Sequence, residues 1–305
     1  MSTLIIHHHD LDGYIAGDIA RLHYPDAQTL KLNYDIPGDI PGEERLQSYD
    51  TVIVADYTLP PQTMLWLKAH RHLVWIDHHF SAIQTADKMG YNDVDGLRCQ
   101  PGELICGAEL AWKFFEKTPL PRFLRLTGDQ DTYRNSRKPE FQSEALPFLY
   151  ATQLVFERLD PANFHAPDFL LPTAESYQND AWCDELILQG RLIQRYNQLH
   201  YGALRKENAF VRTIWGLRIY CFNCPGHGST AINEGFDPAK HDAMLLFSYN
   251  GSGWHYGIYT DAIAKPQINV ALIARQYGGG GHPSAAGFST STLLPELLQK
   301  ASAPT

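Results

Sequence analysis

At 305 residues, with 44% hydrophobic and 19% charged side chains, the chain can bury a substantial core and is too apolar to be disordered. Its formal net charge of −9 excludes the wrapping of long duplex DNA, which needs clustered Lys and Arg. No window approaches the roughly 20 apolar residues of a membrane helix, and MSTLII is not a secretory leader, so a cytoplasmic protein with no membrane partner is expected.

In the first 80 residues three apolar runs end abruptly in Asp or His: TLIIHHHD, TVIVAD and LVWIDHH. Each reads as a buried strand, and the helix-like stretches GYIAGDIARLHY and LPPQTMLWLKAH fall between them. Strand and helix in alternation predict a parallel sheet, whose ligands bind at the carboxyl ends of the strands. GAELAWKFFEK and PRFLRLTGD continue the helical pattern, and a polar, irregular stretch from Asn135 to Glu144 follows. A long helical pattern from about Ala174 to Leu204 reads as a connector. Beyond it FVRTIWGLRIYCFNC and AMLLFSYNGSGWHYGIYT alternate as strands do, with NGSG as a hairpin turn. The chain then closes in QINVALIARQYGGGGHPSAAGF, a helix-like run breaking into four glycines and His282. The expected fold class is α/β: a parallel-sheet, Rossmann-like domain over 1–175, a helical connector over 176–204, and a smaller α/β domain over 205–305.

The segment His8-His9-Asp10-Leu11-Asp12-Gly13 follows directly on a strand. An imidazole with two alternating carboxylates offers a nitrogen and two oxygens, a set suited to Mn²⁺ or Mg²⁺ and able to hold Zn²⁺ or Co²⁺. Three histidines could also be part of a purification tag, but a place between strand and helix makes a poor tag. Asp56, ending TVIVAD, would by itself be a turn former or helix cap. Asp77-His78-His79 at the end of the next apolar run gives it company. Asp129 and Asp131 in LTGDQDTY are further candidates, and either could cap a turn.

Taken in order, His-x-Asp-x-Asp, a strand-ending Asp, Asp-His-His and a later Asp resemble the DHH superfamily of phosphoesterases over the first 135 residues or so. Many relatives place three residues between the His and the first Asp. Here that position is Ile6, which cannot ligate, so His8 takes the role as in oligoribonuclease-like members, with His9 or His7 as fallback. Gly278 to Gly287, GGGGHPSAAG, is similar to the hallmark of the DHH-associated substrate-binding domain; consecutive glycines let backbone N–H groups approach an anion closely. The resemblance implies two divalent ions, Mn²⁺ foremost with Mg²⁺ or Co²⁺ as alternatives. One would be held by His8, Asp10 and Asp56, the other by Asp12, Asp56, His78 and Asp129, with Asp131 competing for the last place. It further implies that Asp77 orients an imidazole, that His79 contacts the phosphate, and that Gly280, Gly281 and His282 bind substrate. The activity implied is hydrolysis of short RNA or DNA oligonucleotides or nucleotides, as in the nano-RNase and oligoribonuclease group. Cyclic or linear dinucleotides and 3′-phosphoadenosine 5′-phosphate are alternative substrates; a pyrophosphatase or polyphosphatase, or an inactive nucleotide sensor, ranks lower.

Other candidates have plainer readings. Cys221-x-x-Cys224 lacks a second pair at zinc-finger spacing, and five cysteines, an odd number, do not make a secreted disulfide framework. His23, His70 and His72 read as surface residues, while His227 and His255 fall in the second domain.

Overall fold

The computed structural model describes residues 2–34, 40–136, 138–157, 174–225, 229, 232–261 and 263–298. The chain divides into two compact units, Met1–Gln194 and Arg195–Thr305.

The first unit runs β1 (Thr3–His8), α1 (Leu11–His23), β2 (Gln28–Leu32), α2 (Glu43–Leu46), β3 (Thr51–Ala55), α3 (Pro61–His70), β4 (His72–Ile76), α4 (Phe80–Met89), α5 (Gly107–Phe115), α6 (Arg122–Asp131), α7 (Leu146–Glu157) and α8 (Ala174–Tyr177). Its four strands form a parallel sheet in the order β2-β1-β3-β4. The inner strands are apolar on both faces because helices cover both: Leu4, Ile5, Ile6, Val52, Ile53 and Val54 are completely buried. The edge strand β2 is more open, its burial rising from exposed Gln28 and Thr29 to buried Leu32. The stretch expected to be irregular, Asn135 to Glu144, contains a π-helical turn, Phe141–Ala145, that runs straight into α7; the buried side chains of Phe141 and Ala145 anchor it.

The 29-residue helix α9 (Asp180–Asn208) occupies the region read as a connector, and the division between the units falls within it. Within the first unit, Arg122 pairs with Asp184, the Trp182 ring stacks on Phe123, and Gly190 lies so close to the Pro147 carbonyl that any side chain would collide. Within the second unit, Tyr201 is buried and Arg205 pairs with Glu234.

The second unit continues with β5 (Ala209–Ile214), β6 (Leu217–Asn223), β7 (Ala243–Tyr249), β8 (Trp254–Tyr259), α10 (Val270–Gln276), β9 (Gly280–His282) and β10 (Ala285–Thr290). They form one sheet in the order β5-β6-β7-β8-β10-β9, antiparallel except for β6 against β7. The NGSG hairpin forms as expected, with the Asn250 side chain accepting from the Ser252 and Gly253 N–H groups. Among the described residues no helix is long and apolar enough to cross a membrane.

Candidate metal centre

Sheet register brings the candidate ligands together. His7 pairs with Ala55 and Ala55 with Ile76, so the next residue on each strand, His8, Asp56 and Asp77, emerges at the same edge. The chain turns abruptly there. Asp56 has φ of 53°, in the left-handed region, and its N–H donates to the Ile76 carbonyl at 2.8 Å. A non-glycine residue in that conformation costs on the order of 1 kcal/mol or more, and such strain clusters at functional sites. Asp10 caps α1 by accepting from the Gly13 N–H at 2.9 Å, and this placement delivers Asp12 into the first turn. Gly13 must be glycine because a Cβ would lie 2.5 Å from that of His8.

Three groups of possible ligand atoms result: His8, Asp10 and Asp56; Asp12, His78 and Asp131; and Asp56, His78 and His79. His78 Nε2 is 3.1 Å from Asp56 Oδ1, 3.7 Å from Asp12 Oδ2 and 3.6 Å from Asp131 Oδ2. His8 Nδ1 lies 2.8 Å from Asp10 Oδ2 and 3.9 Å from Asp56 Oδ2. Asp56 thus belongs to the first and third groups and reaches the second through His78.

Of the histidines considered, His8 faces the cluster. His7 is buried beneath α1, its ring against Gly17 and its Nδ1 on the His8 carbonyl at 2.9 Å, while His9 is exposed. Of the two competing carboxylates, the structure brings Asp131 rather than Asp129 beside the other ligand atoms. Asp129 Oδ1 is held by Arg134 Nε at 2.7 Å and by the Asn135 amide at 3.1 Å, whereas Asp131 joins Asp12 and His78. Both residues lie in the last turn of α6, and two positions apart on a helix point to nearly opposite sides, so one carboxylate can face the cluster and the other cannot. Asp77 is fully buried and belongs to none of the three groups. It accepts from the His79 N–H at 2.9 Å and from His79 Nδ1 at 2.7 Å, while its other oxygen takes the Thr58 hydroxyl and, at 3.3 Å, Trp75 Nε1.

In the second unit Gly280, Gly281 and His282 form β9, an edge strand of their sheet. Gly281 has φ of 138° and would collide with the Ala285 carbonyl if it carried a Cβ, so the hairpin itself requires this glycine. The side chain of His282 and the whole of His227 lie outside the described residues. All five cysteines are buried thiols, and among the described residues Cys221 and Cys224 belong to no metal-like group. His23, His70 and His72 engage Glu116, the Trp66 carbonyl and Asp95, and His255 engages Ser289.

The electrostatics argue for a bound cation. Burial, then the Asp12, Asp10 and Asp131 carboxylates, push Asp56 well above the usual carboxylate range, and burial with Asp12 and Asp10 does the same to Asp131. Asp56 Oδ1, Asp131 Oδ2 and His8 Nδ1 are buried and make no well-aligned hydrogen bond, their close neighbours being other members of the cluster. Buried polar atoms are normally satisfied, and here the unsatisfied ones converge, which is what a dication with nitrogen and oxygen ligands would relieve. The residues present therefore fit a divalent metal. Burial alone would lower the His79 pKa, but the Asp77 contact outweighs it and raises it to about 9. The same pairing, with Thr58, holds Asp77 below its ordinary value despite burial.

No family model matches the chain. Oligoribonuclease NrnB of Bacillus subtilis (strain 168) is 23% identical over 312 aligned residues, covering 95% of this chain and 73% of that protein. The chain is thus similar over most of its length to an oligoribonuclease, in keeping with its resemblance to the DHH superfamily. Uncharacterized protein R106 of Acanthamoeba polyphaga mimivirus is 22% identical over 79% of this chain and 53% of its own length, so the chain spans about half of that relative. Among solved structures, the pGpG-specific phosphodiesterase PggH from Vibrio cholerae matches 95% of this chain and 92% of its own at 12% identity, with a TM-score of 0.49.

Several residues around this cluster escaped the sequence reading. The Gly107 and Ala108 N–H groups at the start of α5 donate to both oxygens of Asp12, at 2.6 and 2.8 Å. Glu109 caps the same helix by accepting from the Cys106 N–H, and Arg134 grips Glu109 through two 2.7 Å bonds. Gly128 leaves room for that ion pair: a Cβ there would lie 2.5 Å from Glu109 Oε2. A capping-box spacing, Cys106-x-x-Glu109, was the available signal.

Proposed function

We propose that this protein is a metal-dependent phosphodiesterase that hydrolyses phosphate ester bonds in short oligonucleotides or nucleotides, with a working site in the cytoplasm. The observation that carries the reading is the convergence of buried Asp56 Oδ1, Asp131 Oδ2 and His8 Nδ1, none in a well-aligned hydrogen bond, at the carboxyl edge of a parallel sheet. The name of the bacillary relative, an oligoribonuclease, supports the substrate class.

Two dications, Mn²⁺ first and Mg²⁺ or Co²⁺ next, would be held by His8, Asp10 and Asp56 and by Asp12, Asp56, His78 and Asp131. When bound they would neutralise the carboxylates, polarise the phosphate and activate water. The chain's own groups supply the rest. Asp56 spans the two ligand sets, and Asp12 is fixed by two backbone N–H donors, so it accepts little rearrangement. Asp77 orients the His79 imidazole through its Nδ1, which leaves the other ring nitrogen beside the cluster to contact a phosphate oxygen and steady charge as the ester breaks. The first unit is the catalytic domain in this reading. The second binds substrate through Gly280, Gly281 and His282, where glycine N–H groups on an edge strand can meet an anion.

Purified protein incubated with Mn²⁺ and pApA, longer RNAs, cyclic dinucleotides, 3′-phosphoadenosine 5′-phosphate or pyrophosphate, with the products resolved, tests this. Release of mononucleotides from pApA, abolished by chelator and restored by Mn²⁺, is expected. Turnover of pyrophosphate alone, or nucleotide binding without turnover, would replace the reading with a pyrophosphatase or a sensor.

A further inference from the structure

Beside the metal-ligand cluster stands an aromatic group that the proposed chemistry does not use. Tyr34 follows the edge strand β2, and its ring stacks on that of Tyr57 at 4.4 Å with an interplanar angle of 22°. Tyr57 is buried, whereas Tyr34 is 46% exposed. The Tyr34 ring lies 5.3 Å from that of His8 and 6.0 Å from that of His79. Its hydroxyl accepts the Thr58 N–H at 3.1 Å, and the Thr58 hydroxyl in turn donates to Asp77, the partner of His79. The ring is therefore held at two points, by Tyr57 on one face and by Thr58 at the hydroxyl. It remains half open to solvent.

A ring fixed in place loses little entropy when a flat ligand settles on it. A phosphate drawn to the cluster and a planar group one sugar away describe a nucleotide. We propose that Tyr34, braced by Tyr57, is a stacking platform for a nucleobase of the substrate, so that affinity comes partly from the base and not from the phosphate alone. This rests on the nucleotide reading above and deepens it. Base-on-aromatic stacking tolerates any base but favours the larger rings, so purines bind better than pyrimidines.

The test is calorimetric binding of AMP, CMP and ribose 5-phosphate to the Mn²⁺-loaded protein, its Tyr34→Ala, Tyr34→Leu and Tyr34→Phe variants, with metal content measured alongside. AMP should bind more tightly than ribose 5-phosphate, with CMP between them. Tyr34→Ala and Tyr34→Leu should weaken AMP about 5- to 100-fold, the range expected for a lost base stack, and leave ribose 5-phosphate and metal content unchanged. Tyr34→Phe should keep most of the AMP affinity, because the ring and not the hydroxyl makes the contact. Equal affinity for AMP and ribose 5-phosphate in the unaltered protein, no AMP binding, or a parallel loss for both ligands in Tyr34→Ala overturns the platform. Binding is read without turnover, so an inactive protein that still shows the AMP pattern would sink the phosphodiesterase reading and leave the platform standing.

Discussion

Asp129 and Asp131 differ by two positions and have different tasks. Asp129 neutralises Arg134, while Asp131 stands 3.6 Å from His78 with one oxygen buried and in no well-aligned hydrogen bond. Asp131→Asn should lower Mn²⁺ occupancy and cut turnover at least about 100-fold, whereas Asp129→Asn should keep its metal and lose only stability; metal analysis of both variants separates them. His7 gives a prediction in pH. Burial lowers its pKa from 6.5 to about 4, so between those values the unfolded chain binds a proton that the folded chain refuses. Its contribution to stability is complete above pH 6.5 and disappears as pH falls toward 4. From pH 7 to pH 5 in chelator, denaturant titration should show the unaltered protein losing about 2 kcal/mol more than His7→Gln. The histidine run announced a site, but its three imidazoles look alike in the sequence. Strand alternation decided that His8 would face the cluster and His7 would lie under α1.

The N-terminus of α5 is the element that sets the second ligand group. Its first two N–H groups hold Asp12, Gly107 lies so close to Asp56 that a Cβ would come within 2.6 Å of the Asp56 Cβ, and Glu109 with Arg134 pins the end of the helix. Gly107→Ala should therefore weaken metal binding while helix content by circular dichroism stays the same, since it displaces Asp56 and not the helix. Arg134→Ala leaves Glu109 buried without its partner and should destabilise by about 3 kcal/mol, with Arg134→Lys recovering part of it. GAELAWKFFEK was legible as a helix from its apolar period. Its contact with Asp12 was not, because 95 residues separate Asp12 from Gly107.

Each unit has its own buried cluster, Leu4 to Ile187 in the first and, in the second, groups from Tyr201 to Leu297. Every candidate ligand belongs to the first. Differential scanning calorimetry should then show Mn²⁺ raising the transition of the first unit and leaving that of the second in place, since a ligand stabilises what binds it. His282→Ala should keep full metal content, because that residue lies in the second unit, and still lose about 100-fold in turnover if the glycine strand aligns substrate. Loss of metal in that variant would contradict the division of labour.

The sequence by itself determined three of the four strands of the first unit, their parallel arrangement, the acidic and imidazole residues at their carboxyl ends, and the β-rich second half; the edge strand β2 was not legible. These follow from local periodicity and from residues that chemistry rarely spends on a surface. Tertiary structure decided that Asp131 and not Asp129 faces the cluster, that α5 fixes Asp12, and that Tyr34 meets Tyr57 and His8. Each depends on which way a side chain points, or on contacts between distant segments, and hydrophobic pattern carries no record of either.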